Sequence, residues 1–225
     1  MLRSRGIITS LQKEILSVIA SIGDNEKFYL TGGTALAEFY LGHRRSYDLD
    51  IFTVEKGIIL PFSRRLEEEL KDKFNVKIVR RFESFVEFEI GRLSEAIKLQ
   101  LAYDSPFRFG EPEKSDIGIR VNNYKDLITD KLLALYGRAE PRDIIDLYCI
   151  LKKEDFWYLT KLASQKDPGF DLYWFAVALD RVKGLPDEIE KWPVDMLIEV
   201  NVQEIKDMFS KICCQIMKEI KNRKK

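Results

Sequence analysis

Apolar residues recur at helical spacing over residues 10–22, where Leu11, Ile15, Val18, Ile19 and Ile22 form one stripe, so a packing helix is expected there. A short apolar run at 28–30 then reads as a strand, 34–42 as a helix, and 48–52 as a second strand. Residues 61–73 form a charged helical pattern with Pro61 suited to its first turn. Three further strand candidates follow at 76–80, 85–90 and 96–103, the middle one setting Val86, Phe88 and Ile90 against Glu87 and Glu89. The prolines and glycine of 105–112 interrupt the pattern, and a last short strand is expected at 117–121. From there the periodicity is helical only, over 124–137, 141–151, 155–164, 170–182 and 202–221. The pattern predicts a mixed α/β (α+β) sheet with flanking helices in residues 1–121 and a helical C-terminal domain in 122–225.

The chain has 225 residues, 45% apolar and 12% aromatic, enough for one large or two small domains with an ordinary core. Its 37 basic and 37 acidic residues cancel, which excludes the global positive field of a dedicated nucleic-acid binder and leaves room only for a local basic patch. The basic end, residues 218–225, reads as a solvated tail. Cys149, Cys213 and Cys214 are too few and too poorly spaced for a disulfide framework or a zinc site, and His43 is the single histidine, so no His-rich metal site exists. Met1 to Gly6 carry two arginines with no apolar run beside them, and no stretch is apolar enough to span a bilayer. A soluble, cytoplasmic protein is expected, with no membrane partner.

The chemistry concentrates in residues 31–52, TGGTALAEFYLGHRRSYDLDIF. Gly32 and Gly33 stand where a strand hands over to a helix N-terminus. Backbone N–H groups there lack intrahelical acceptors, and the missing Cβ atoms admit a phosphate close to the main chain. Asp48 and Asp50 then alternate with Leu49 and Ile51, so both carboxylates point to one side of the strand. Two carboxylates near a phosphate-binding turn suit a hard divalent cation, Mg²⁺ or Mn²⁺, that shares its ligands with substrate phosphates. Phosphoryl or nucleotidyl transfer is the implied chemistry.

These residues resemble the AbiEii/AbiGii-type nucleotidyltransferase toxins of the polymerase-β-like superfamily. The resemblance rests on Gly32 to Leu36, on His43, Arg44 and Ser46, and on Asp48, Leu49, Asp50 and Phe52, together with a second block, Asp130 to Arg138 and Arg142 to Tyr148. It implies a nucleotidyltransferase-like sheet. It also implies a nucleoside triphosphate as donor, Asp48 and Asp50 as metal ligands, and Gly32, Gly33, Thr34, Arg44, Ser46 and Arg138 at the nucleotide. Lys131 and Asp143 join the aspartates as catalytic candidates, with Arg142 and Asp146 in support. Asp143 is expected either to orient Lys131 by an ion pair or to assist deprotonation of the acceptor hydroxyl. Lys131 and Arg138 stand seven residues apart on one helix face and are expected to neutralise phosphate, Arg138 by gripping two oxygens. Family membership further implies a toxin with a cognate antitoxin and an RNA acceptor such as the 3′ end of tRNA.

Superfamily members generally carry a third carboxylate on a later strand, completing a site for two ions about 3.5–4 Å apart. Here the matching strand, 96–103, offers Lys98 and Gln100 on its polar face, with Glu87, Glu89 and Asp104 as substitutes in principle. A small-molecule nucleotidyltransferase, a protein-modifying one and a non-catalytic nucleotide-binding module are the alternatives that share this donor site. His43 is equally suited to the helix C-terminal dipole and to a nucleotide contact.

Overall fold

Thr9 and Gln12 start the first helix by capping each other: Thr9 Oγ1 accepts from the Gln12 N–H at 3.1 Å and Gln12 Oε1 accepts from the Thr9 N–H at 2.9 Å. Helix α1 (Ser10–Ser21) then buries Leu11, Ile15, Leu16, Val18 and Ile19 along one stripe. The computed structural model describes residues 1–223, in two compact units, Met1–Leu127 and a second beginning at Ile128.

The strands of the first unit are β1 (Tyr29–Thr31), β2 (Arg44–Arg45), β3 (Leu49–Thr53), β4 (Asn75–Phe82), β5 (Phe85–Arg92), β6 (Glu95–Tyr103), β7 (Glu113–Lys114) and β8 (Arg120–Val121). Seven of them form one mixed sheet in the order β4-β5-β6-β3-β1-β8-β7. Strand β3 runs antiparallel to β1 and parallel to β6. Helix α2 (Gly32–Ala35) follows β1, and α3 (Ile59–Lys71) follows β3. Leu49 and Ile51 of β3, Leu99 and Leu101 of β6, and Val86, Phe88 and Ile90 of β5 are all buried in one apolar cluster with the stripes of α1 and α3, where Phe28 stacks on Phe62 with ring centroids 4.1 Å apart. Period-two alternation leaves Asp50, Gln100 and Glu87 on the opposite, polar face.

Two local features differ from the sequence pattern. The helix after the glycine pair begins at Gly32 and widens into a π-helical segment, Leu36–Leu41. The widening is closed by the Gly42 N–H donating to the Ala37 carbonyl at 2.9 Å, five residues back, and Gly42 ends the helix at φ +69°. Glu38 in that segment is fully buried and accepts from the N–H groups of Gly6, Ile7 and Ile8 at 2.7, 2.7 and 2.9 Å, which ties down the N-terminal segment.

The second unit is helical. Helices α4 (Tyr124–Arg138), in whose first turn the division falls, α5 (Pro141–Leu151), α6 (Phe156–Lys166) and α7 (Leu172–Asp180) are joined by short turns, and α8 (Val202–Arg223) follows a longer connection, 181–201, that holds two 3-10 turns and a two-residue strand, β9 (Asp195–Met196). Strand β9 is too short to leave any periodic signal. Asp155 and Asp171 cap α6 and α7 by accepting from the Tyr158 and Trp174 N–H groups at 2.8 and 3.0 Å. Phe175 and Leu179 of α7 and Phe209 and Ile216 of α8 are buried where these two helices pack. Helix α8 carries the basic end as far as Arg223; Lys224 and Lys225 lie outside the described residues. Among the described residues no helix is long and apolar enough to cross a membrane.

Candidate active site

Antiparallel pairing sets Thr31 opposite Asp50, so the turn that follows β1 lies directly beside the Asp50 carboxylate. Gly32 occupies the left-handed region at φ +69°, and a Cβ there would overlap Asp50 Oδ2 and sit 3.0 Å from Asp50 Cγ. A Cβ on Gly33 would sit 2.6 Å from Arg44 Nη2 and 2.8 Å from Ser46 Oγ. Glycine is therefore required at position 32, and at position 33 its missing side chain lets the Arg44 guanidinium and the Ser46 hydroxyl lie against the backbone.

The loop carrying Asp48 is held from beneath. Thr34 is buried, and its hydroxyl donates to the carbonyls of Asp48 and Ser46 at 2.5 and 3.3 Å. Gln12, also buried, donates from Nε2 to the carbonyls of Ser46 and Tyr47 at 2.8 and 3.0 Å. Thr34 thus turns its side chain to the main chain, where it positions the first aspartate. The contribution of Gln12 was not legible in sequence beyond its capping partner, because the loop it braces is 34 residues away. Arg44 is buried, with Nη1 donating to the Arg45 carbonyl at 2.9 Å, and His43 is buried beside the helix end that Gly42 caps.

On the neighbouring strand Gln100 stands in register with Asp50. Lys98 reaches Asp48, Nζ to Oδ2 3.3 Å. Of the three possible substitutes for a third carboxylate, Asp104 receives the Tyr29 hydroxyl, the Ser105 N–H and Arg108, whose guanidinium stacks 4.0 Å over the Tyr29 ring. Burial, reinforced by the Asp104 carboxylate, pushes the Tyr29 phenol well above its usual range. Glu89 pairs with Lys77 at 3.8 Å. Glu87 alone of the three joins Gln100, accepting from its Nε2 at 2.7 Å.

Asp48 and Asp50 supply hard oxygen donors suited to Mg²⁺ or Mn²⁺. Among the described residues no group of three or more His, Cys, Asp or Glu side chains is arranged to hold a metal ion. A divalent cation at the two aspartates would accordingly complete its shell from substrate phosphates and water, which fits the habit of Mg²⁺.

In the helical unit, α4 and α5 are linked by two ion pairs. Lys131 Nζ lies 2.7 Å from Asp146 Oδ2, both side chains buried. Arg138 donates from Nε and Nη2 to the two oxygens of Asp143 at 2.6 and 2.9 Å, a bidentate grip on a fully buried carboxylate. The partner of Lys131 is therefore Asp146, one helical turn beyond the Asp143 that was one expectation for it, and Asp143 is taken up by Arg138 instead. Arg142 donates to Glu140 at 2.8 Å. The unit also has a cleft of about 810 Å³ lined by Trp157, Lys161, Phe170, Tyr173 and Arg223, which contains none of the candidate residues.

Residues 14–167 match the family model described as the nucleotidyl transferase AbiEii toxin of a type IV toxin-antitoxin system. An uncharacterized protein of Aquifex aeolicus (strain VF5) is 28% identical over 203 residues, 89% of this chain and 93% of its own length. Among solved structures, JHP933 of Helicobacter pylori superposes with a TM-score of 0.59 at 19% identity, covering 95% of this chain and 92% of that one. MenT4, a nucleotidyltransferase toxin of Mycobacterium tuberculosis H37Rv, gives 0.55 at 14% identity over 92% of this chain and 82% of its own. At such identities the two structures establish a shared fold.

Proposed function

The chain belongs to the AbiEii nucleotidyltransferase toxin family, and on that basis we propose that this nucleotidyltransferase is Mg²⁺-dependent and moves a nucleoside monophosphate from a nucleoside triphosphate to a hydroxyl of RNA, the 3′ end of tRNA. The acceptor oxygen forms a bond to the α-phosphorus, the bond from that phosphorus to the bridging oxygen of pyrophosphate breaks, and the acceptor proton passes to solvent or a nearby carboxylate. The observation that carries the reading is the packing of the Gly32 backbone against the Asp50 carboxylate, because it gives phosphate and metal ligands a common seat.

The Gly32 and Gly33 N–H groups and the Arg44 guanidinium are assigned to the triphosphate, and Ser46 to the phosphate edge. Asp48 and Asp50 are assigned to a divalent cation, which when bound neutralises charge at the reacting phosphate. Lys131, steadied by Asp146, is assigned the phosphate or leaving-group charge. Asp143 holds Arg138 in one orientation. A cognate antitoxin belongs to the same reading.

The test is transfer of α-³²P label from each nucleoside triphosphate, with Mg²⁺, to total tRNA and to cell protein, beside Asp48→Asn and Asp50→Asn. Label on tRNA that vanishes in both variants is the expected result. Label on protein instead would move the acceptor class, and bound nucleotide with no labelled macromolecule would favour a small acceptor or a silent site.

A further inference from the structure

The polar face beside the two aspartates differs from a two-ion site in a way that assigns its residues. Parallel pairing of β3 with β6 sets Gln100 opposite Asp50, at the position where a third carboxylate would complete a binuclear centre. An amide there brings no negative charge. The residue two positions earlier on the same face is Lys98, whose ammonium already contacts Asp48. Beyond Gln100, on β5, Glu87 is in register with it and accepts from its Nε2. A carboxylate accepts, so the amide NH₂ of Gln100 faces Glu87 and the amide oxygen is the atom left for other partners.

From this geometry, and resting on the nucleotidyltransferase reading above, we infer that the site takes one divalent cation per bound nucleotide rather than two. The Lys98 ammonium supplies beside Asp48 the positive charge that a second ion would bring. Gln100 lends a neutral oxygen only, and Glu87 is the positioning residue that holds the amide NH₂ and so leaves that oxygen, not the NH₂, available to the cation. Lys98 already part-neutralises Asp48, so with an amide at position 100 the protein side of the site offers a second ion less negative charge than three carboxylates without an ammonium would.

The experiment is a Mn²⁺ titration followed by electron paramagnetic resonance, in the presence of saturating α,β-methylene analogues of the four nucleoside triphosphates in turn. Wild type is expected to bind one Mn²⁺ per ternary complex, and the double variant Lys98→Met/Gln100→Asp two. Two ions in wild type, or one in the double variant, would overturn the inference and leave nucleotidyl transfer standing. Failure to bind any of the four analogues would overturn both. For Glu87, the Lys replacement can only donate and so turns the amide around. Glu87→Lys should weaken Mn²⁺ about tenfold, the lower end of what outer-shell changes cost a metal, and Glu87→Gln less. An unchanged affinity in Glu87→Lys would remove Glu87 from the assignment. Glu87, Lys98 and Gln100 all lie part-exposed on the sheet, so thermal melts of the variants should stay close to wild type.

Discussion

Gly32 and Gly137 show how the same residue type answers to different physics. At Gly32 a methyl group is opposed both by the left-handed backbone and by the Asp50 carboxylate, so Gly32→Ala must displace a candidate metal ligand. Misplacing a reacting group by an ångström costs about 100-fold in rate, and Gly32→Ala is expected to lose at least that in the label-transfer assay. Gly137 lies within α4, and a Cβ there meets nothing within 4 Å. Gly137→Ala should therefore stabilise the protein by about 0.5–1 kcal/mol in urea unfolding, through lower backbone entropy of the unfolded chain. The place of the glycine pair, between a strand and a helix, was legible from its neighbours in sequence. That Gly33 lies beneath Arg44 and Ser46 was not, because that contact depends on how the loop between α2 and β3 folds back.

At the scale of elements, ion pairs join segments that sequence periodicity treats separately. Lys131→Met leaves the buried Asp146 carboxylate without its ammonium, and losing one member of a buried pair costs about 3–5 kcal/mol. Lys131→Met/Asp146→Leu should recover part of that loss, which differential scanning calorimetry of the two variants would measure. Helix α3 and strand β4 meet through Glu67, which accepts from Lys71 on its own helix and from Arg81 of β4 at 2.5 Å. The Lys71 hydrogen bond first, and then that from Arg81, holds the Glu67 carboxyl below the usual carboxylate range. A carboxyl whose pKa is lowered on folding adds stability above its unfolded value and loses it as pH falls. Unfolding free energy should drop below about pH 4.5 less steeply in Glu67→Gln than in wild type, measured by urea titration across pH 3–6. The spans of α5 and α8 were plain from apolar spacing and from Pro141. The π-helical segment was not, since a single widened turn leaves the side-chain period almost unchanged.

For the whole molecule, acid and base cancel at 37 residues each, so any RNA acceptor must be held by a local set of cations and by contacts other than charge. A shallow salt dependence is expected: a slope of log K against log salt no steeper than about −4, corresponding to four or five phosphates neutralised. Fluorescence anisotropy with tRNA from about 50 to about 500 mM KCl (about one decade of salt) would measure it, and a slope near −10, as for a protein with a wide basic surface, would contradict the expectation. Residue pattern alone determined the succession of a mixed sheet and a helical segment and the glycine turn between strand and helix, because turn chemistry and periods of two and 3.6 are local properties; the expected strand at 48–52 begins one residue later, at Leu49, and leaves Asp48 in the preceding loop. Only the tertiary structure decided that Gln100 stands opposite Asp50, that Lys98 reaches Asp48, that Gln100 donates to Glu87, and that Asp146, not Asp143, pairs with Lys131. Those relations depend on strand register and helix pairing between residues far apart in the chain, which the burial of the apolar cluster selects and no local spacing encodes.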